Sequence, residues 1–173
     1  MNIVLLSGST VGSKTRIAMD DLKNELEVIN EGHQIELMDL RELELEFSVG
    51  KNYLDTTGDV YKLTTSLMQA DVIFIGFPIF QASIPGALKN VFDLLPVNAF
   101  RDKVIGLVAT AGSSKHYLIP EMHLKPILSY MKAHTMQTYV FIEEKDFSNQ
   151  QIVNDDVVFL ASIISGSIIG LVL

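Results

Sequence analysis

Cysteine is absent from this 173-residue chain, and with it disulfides, thiolate catalysis and cysteine-ligated metals. Nothing therefore calls for an oxidising compartment. Basic charge is also scarce: 13 Lys and Arg stand against 21 Asp and Glu, a net charge of −8. Binding along a nucleic-acid backbone needs clustered cations, so that class is excluded, whereas one phosphate held by a loop is not. His33, His123 and His134 are scattered without metal-ligand spacing, and no metal site is expected. There is no internal repeat and no low-complexity run. The first apolar run is short and lacks a basic flank, so it reads as a strand rather than a signal peptide, and a cytoplasmic location is expected.

What is present suits one globular domain over residues 1–173, with 48% hydrophobic and 20% charged residues. Its centre is DVIFIGFPIFQASIPGALKNVFDLLP, residues 71–96. Residues 72–76 are apolar without alternation, as in a strand buried on both faces of a parallel sheet. Gly76 and Pro78 end it. Ser83 stands where a helix N-cap would, with Pro85 in the first turn, and Ala87, Leu88, Val91, Leu94 and Leu95 recur at helical spacing.

The same unit appears twice more. Residues 2–6 form a strand candidate that gives way to SGSTVGSKT, residues 7–15. A helix follows to about residue 30, with Ile17, Leu22, Leu26 and Ile29 on its apolar side. Small residues let N–H groups converge, and a helix N-terminus adds partial positive charge, so this loop suits a phosphate; it matches neither a P-loop nor G-x-G-x-x-G. Residues 103–109 form another buried strand, followed by TAGSSKHY. Strands are also expected at residues 33–38 and 135–142, and helices at 59–69 and 118–132, the latter interrupted by Pro126. RELELEF, residues 41–47, reads as a solvated edge or loop rather than carboxylate chemistry. The tail after Asp156 has 17 uncharged residues; it reads as a buried helix started by Asn154, Asp155 and Asp156, with a close-packing stripe of Ser162, Ser165 and Gly166, and a membrane anchor is the alternative.

Five strands alternating with about five helices make an α/β sandwich of three layers, a five-stranded parallel sheet in the flavodoxin-like order 2-1-3-4-5. The loops after strands one, three and four then meet at the switch point, where a flat, phosphate-bearing ligand would lie.

At GSTVGSKT, at PIFQASIPGALKNVFDLLP, and at ATAGSSKH with LKPILSYMKA, the chain resembles the NADPH-dependent FMN reductases, most closely the branch that supplies alkanesulfonate monooxygenases. The first loop is one residue shorter than in that branch, and Phe80 replaces its usual tyrosine. The resemblance implies FMN with its phosphate at Ser9, Ser13, Lys14 and Thr15. The ring would lie against Pro78, Ile79, Phe80, Gln81, Ala82 and Ser83, with Thr110, Ala111, Gly112 and Ser113 at its far edge. It also implies NADPH or NADH as hydride donor, a homodimer or homotetramer, and a flavin-dependent monooxygenase as possible partner.

Hydride transfer between stacked rings asks for geometry and water exclusion, so no catalytic acid, base or nucleophile is expected. Ser83, Ser113, Ser114 and His116 are the polar candidates near the ring, with capping and loop hydrogen bonds as their alternative role. Three functions remain open: an NAD(P)H-dependent FMN reductase, an FMN-bound quinone or azo-compound reductase, and a flavodoxin-type electron carrier.

Overall fold

A computed structural model describes residues 1–29 and 32–172. The apolar runs form β1 (Asn2–Ser7), β3 (Val72–Pro78) and β4 (Val104–Ala111), each buried along most of its length. β2 (Gln34–Asp39) flanks β1; β5 (His134–Thr135) and β6 (Val140–Glu143) both pair with β4. All pairings in this sheet are parallel, in the order β2-β1-β3-β4-β5. The fold is a flavodoxin-like α/β sandwich with the expected strand order.

Successive strand residues point to opposite layers. Ile73, Ile75 and Phe77 meet α2 (Gly58–Gln69), α3 (Gly86–Asp93) and α4 (Lys125–Tyr130) through Leu63, Leu67, Leu88, Val91 and Leu128. Val72 and Phe74 meet α1 (Lys14–Val28) and α5 (Asp155–Val172) through Met19, Leu22, Leu26 and Val157. Fully burying each such side chain contributes roughly 1.5–3 kcal/mol, so the carboxyl ends of the strands sit on a stiff platform. Phe147–Ser148 and Gln151–Ile152 add a small antiparallel pair, β7 and β8, before α5.

Tertiary partners change several local expectations. The fifth strand is split: residues 136–139 interrupt it, and the buried Tyr139 donates its hydroxyl to the Tyr117 carbonyl at 2.5 Å. On α1, Ala18 and Met19 are buried, Ile17 is only partly so, and Ile29 lies past the helix end, 46% exposed. Pro85, not Ser83, occupies the N-cap of α3. Asn90 is buried on α3 because it accepts from the Ser48 N–H at 2.9 Å and donates to the Glu46 carbonyl at 3.0 Å. Pro126 sits in the first turn of α4, and the chain approaches it through a wide π-type turn, Pro120–Leu124, in which the Lys125 N–H reaches the Pro120 carbonyl.

Residues 41–47 form a loop in which Leu43 and Leu45 pack inward while Glu42, Glu44 and Glu46 face out. Asn154 caps α5, accepting from the Asp156 N–H at 3.1 Å. Val157 and Ala161 pack inward and Ser165 is buried, but Ser162 and Gly166 are exposed, so the expected stripe does not act as one face. Among the described residues no helix is long and apolar enough to cross a membrane.

Candidate functional site

Strand register sets the site. Ser7 lies opposite Gly76, and Pro78 opposite Thr110, which brings the three strand ends to one rim. Their loops are then tied together. The Gly8 N–H donates to the Gly76 carbonyl at 2.7 Å, and the Ile79 N–H to the Thr110 carbonyl at 2.9 Å. The hydroxyls of Thr15 and Thr110 meet at 2.9 Å. Over this rim lies a cavity of about 360 Å³, within the size range of small-ligand sites.

Ser13 occupies the N-cap position of α1. Among the described residues no side chain caps that end, and no acid stands in its first turn. The first N–H groups of a helix lack partners within it and carry partial positive charge, so this end suits an anion. Lys14 adds a full charge. Its ammonium pairs with Glu144 and lies 5.7 Å from the centre of the Phe147 ring.

The first loop is held from behind by buried charge. Arg41 donates to the Gly12 carbonyl at 2.8 Å and to Asp39 Oδ2 at 2.9 Å, and Arg16 donates to that same oxygen at 3.0 Å. Desolvation pushes the buried Asp39 carboxyl upward, but the Arg41 N–H and the two guanidiniums outweigh it and hold the group below its ordinary range. Asp39 in turn raises the Arg16 guanidinium above its ordinary value.

The second loop turns back sharply. Phe80 and Ser83 exchange backbone hydrogen bonds at 3.0 and 2.9 Å, with Gln81 at φ 46° and Ala82 at φ 56°. Two consecutive left-handed residues other than glycine make a tight primed turn that costs conformational energy. Ser83 donates to or accepts from His123 Nδ1 at 3.0 Å, which ties the turn to the segment before α4.

Of the residues expected at the site, Ser13, Lys14, Thr15, Pro78, Ile79, Phe80, Thr110, Ala111 and Gly112 line the cavity together. Ser9, Gln81, Ala82, Ser83 and Ser113 do not. Ser9 is buried with its hydroxyl on the Val11 carbonyl at 2.6 Å, and Gln81 and Ala82 are exposed beyond the rim. Ser114 directs its N–H at Glu143, 2.9 Å away, rather than into the cavity. Val11, Gly12 and Glu144 complete the lining. Glu144 escaped the sequence reading, although the strand order places the acidic stretch EEKD at the same sheet end. A second hollow of about 370 Å³ beside α2 is lined by Glu44, Glu46, Asp55 and Asp59, with Lys51 its one cation among the described residues. That charge repels a phosphate. Among the described residues no group of acids and histidines is placed to hold a metal.

The family model described as NADPH-dependent FMN reductase matches residues 1–147. The chain belongs to the NADPH-dependent FMN reductase family. It is 38% identical over 150 residues to an NAD(P)H-dependent FAD/FMN reductase of Geobacillus thermodenitrificans, covering 87% of this chain and 81% of the relative. It is 31% identical over 158 residues to the NADH-dependent FMN reductase SfnF of Pseudomonas fluorescens, covering 90% and 83%. Among solved structures, an oxidoreductase of Corynebacterium diphtheriae superposes with a TM-score of 0.73 at 25% identity, covering 98% of this chain and 97% of that one. An NADH:FMN oxidoreductase in its apo form gives a TM-score of 0.78 at 24% identity, covering 96% and 87%, a likeness of fold.

The donor set fits what this family's name implies. An uncapped helix start with Ser13 and Lys14 shares one cavity with Pro78, Ile79 and Phe80, so an anion-binding end and an apolar end lie side by side.

Proposed function

We propose that the chain, acting as one FMN-binding domain over residues 1–173, is an NAD(P)H-dependent FMN reductase that binds the flavin phosphate at Ser13, Lys14 and Thr15. The flavin ring lies along Pro78, Ile79 and Phe80 and against Thr110, Ala111 and Gly112. The observation that carries this reading is the joining of an uncapped helix N-terminus and an apolar strand end in one cavity. When bound, FMN supplies the centre that accepts hydride from the nicotinamide.

The chain's own part is geometric. Pro78, Ile79 and Phe80 present an apolar floor that keeps water from the reacting face, and Phe80, 38% exposed, reaches to its rim. The Thr15–Thr110 bond fixes the spacing between the phosphate end and the ring end. No side chain is needed as acid, base or nucleophile.

The test is to titrate purified protein with FMN and then follow oxidation of NADPH and NADH with and without free FMN. Oxidation that needs added FMN and yields free reduced flavin supports the reductase. Turnover of quinones or azo compounds on retained FMN favours the second reading, and FMN binding without nucleotide oxidation favours an electron carrier. The azoreductase reading is supported by a sequence relative, an FMN-dependent NADPH-azoreductase of Staphylococcus saprophyticus that is 26% identical over 92% of this chain.

The reductase reading carries further expectations: a cytoplasmic location, where reduced nicotinamide is supplied, and a flavin-dependent monooxygenase as consumer of the product. It also carries a homodimer or homotetramer. On this reading a second copy would meet the hollow of about 490 Å³ between α3 and α4, where Val97 and Tyr130 are exposed. Light scattering on the eluting protein checks the assembly.

A further inference from the structure

Glu144 stands where an incoming phosphate needs room. Its carboxylate pairs with Lys14, the one cation lining the cavity among the described residues, and it lines that cavity itself with Gly12 and Ser13. The pairing follows from a built turn rather than from a loose side chain. Residues 144–146 form a single 3-10 turn directly after β6. Asp146 accepts from the Glu143 N–H and from Asn154 Nδ2, both at 2.8 Å, and the Val153 N–H donates to the Asp146 carbonyl at 2.8 Å. Lys145 turns away to Glu143 at 2.8 Å. The turn's other two charges, Lys145 and Asp146, thus have partners of their own. Phe147, next along the chain, holds the Lys14 ammonium from the side at cation–π distance.

We infer that Glu144 is an internal competitor for Lys14, a carboxylate that must give up its partner when a flavin phosphate enters, and that sets how strongly the site prefers FMN over unphosphorylated flavin. This rests on the phosphate position proposed above. A phosphate monoester carries about −1.5 to −2 charge at neutral pH, so it meets both a lost ion pair and a like charge at the cradle. The pair is partly open to solvent, with side-chain exposures of 38% for Lys14 and 65% for Glu144, which keeps the effect moderate. The consequence is an FMN that exchanges, suited to a reductase that hands reduced flavin on.

The test compares dissociation constants for FMN and riboflavin, from quenching of flavin fluorescence, in wild type, Glu144→Gln, Glu144→Ala and Lys14→Ala. Both Glu144 variants, on an exposed position, are expected to bind FMN about three- to tenfold more tightly and riboflavin as before. The gain shrinks as salt is raised, because it is a screened charge effect. FMN binding that is unchanged or weaker in the Glu144 variants overturns the inference. So does a gain shared by riboflavin or indifferent to salt. Lys14→Ala separates the two levels. If it weakens FMN far more than riboflavin while the Glu144 variants gain nothing, the phosphate position stands and the competitor falls. If it weakens both flavins equally, the phosphate lies elsewhere and both fall.

Discussion

Thr15 and Thr110 are 95 positions apart in sequence, yet their hydroxyls share a buried hydrogen bond of 2.9 Å. One sits in the first turn of α1 and the other near the end of β4, so the bond joins the phosphate end of the site to its ring end. Replacing either with valine leaves the other hydroxyl buried and unpaired, which costs about 1–3 kcal/mol. The double variant removes both polar groups and is expected to be nearer wild type than either single one. A double-mutant cycle by chemical denaturation, run beside FMN titration, checks this. Additive losses would mean that the bond links nothing.

Gly76 lets α1 lie close on β3. A Cβ at that position would collide with the thioether of Met19, itself fully buried, and would lie 3.3 Å from Thr15 Cγ2. Gly76→Ala therefore pushes α1 outward and is expected to cost about 1–3 kcal/mol. Because Thr15 moves with the helix, FMN binding should weaken as well. Combining Gly76→Ala with Met19→Ala should cost less than the sum of the two, since each relieves the other.

Gln81 and Ala82 hold φ of 46° and 56° at the tip of the turn between Phe80 and Ser83. A left-handed residue with a Cβ costs roughly 1–2 kcal/mol, and glycine removes most of that. Ala82→Gly is thus expected to stabilise the protein by about 0.5–1 kcal/mol, offset in part by the freer unfolded chain. Thermal melts with and without FMN measure it. A loss of stability would show that the turn is not strained.

Much of the layout can be read from short apolar runs that stop at small residues. Residues 72–76 and 103–109 name their own strands because burial on both faces removes any alternation. Topology then places Lys14, Pro78 and Thr110 at one rim. What local pattern does not carry is the choice among partners. Ser83 before Pro85 looks like a cap, yet its hydroxyl pairs with His123 Nδ1 and Pro85 itself occupies the N-cap. Asn90 falls on the polar side of α3 by periodicity but is buried by a loop 42 residues earlier. Residues 136–139 interrupt a strand, with the Gln137 carbonyl accepting from Lys125 and Tyr139 donating to the Tyr117 carbonyl. Glu144 pairs with Lys14, 130 positions away, and no spacing rule connects them.

Asp39 supplies a prediction with a sign in pH. Its carboxylate side chain is fully buried, and it accepts from Arg41 and Arg16, while Arg41 also holds the Gly12 carbonyl of the first loop. Its folded pKa lies below its ordinary value despite burial. A depressed carboxylate stabilises the fold above its unfolded pKa, near about 3.9, and that contribution disappears as pH falls through the lower folded value. Asp39→Asn takes the buried carboxylate from two guanidiniums, of which Arg16 keeps Asp20 at 3.0 Å and Glu42 at 2.7 Å, so the expected loss is about 1–3 kcal/mol at neutral pH, below that of a broken buried pair. Measured by denaturant unfolding, the gap between wild type and Asp39→Asn should stay level from neutral pH down to about 5 and close below about 4. The first loop should loosen too, and FMN should be held more weakly than riboflavin loses ground. A gap that persists unchanged at the lowest pH would mean that the carboxylate charge contributes nothing and that the variant acts through packing alone.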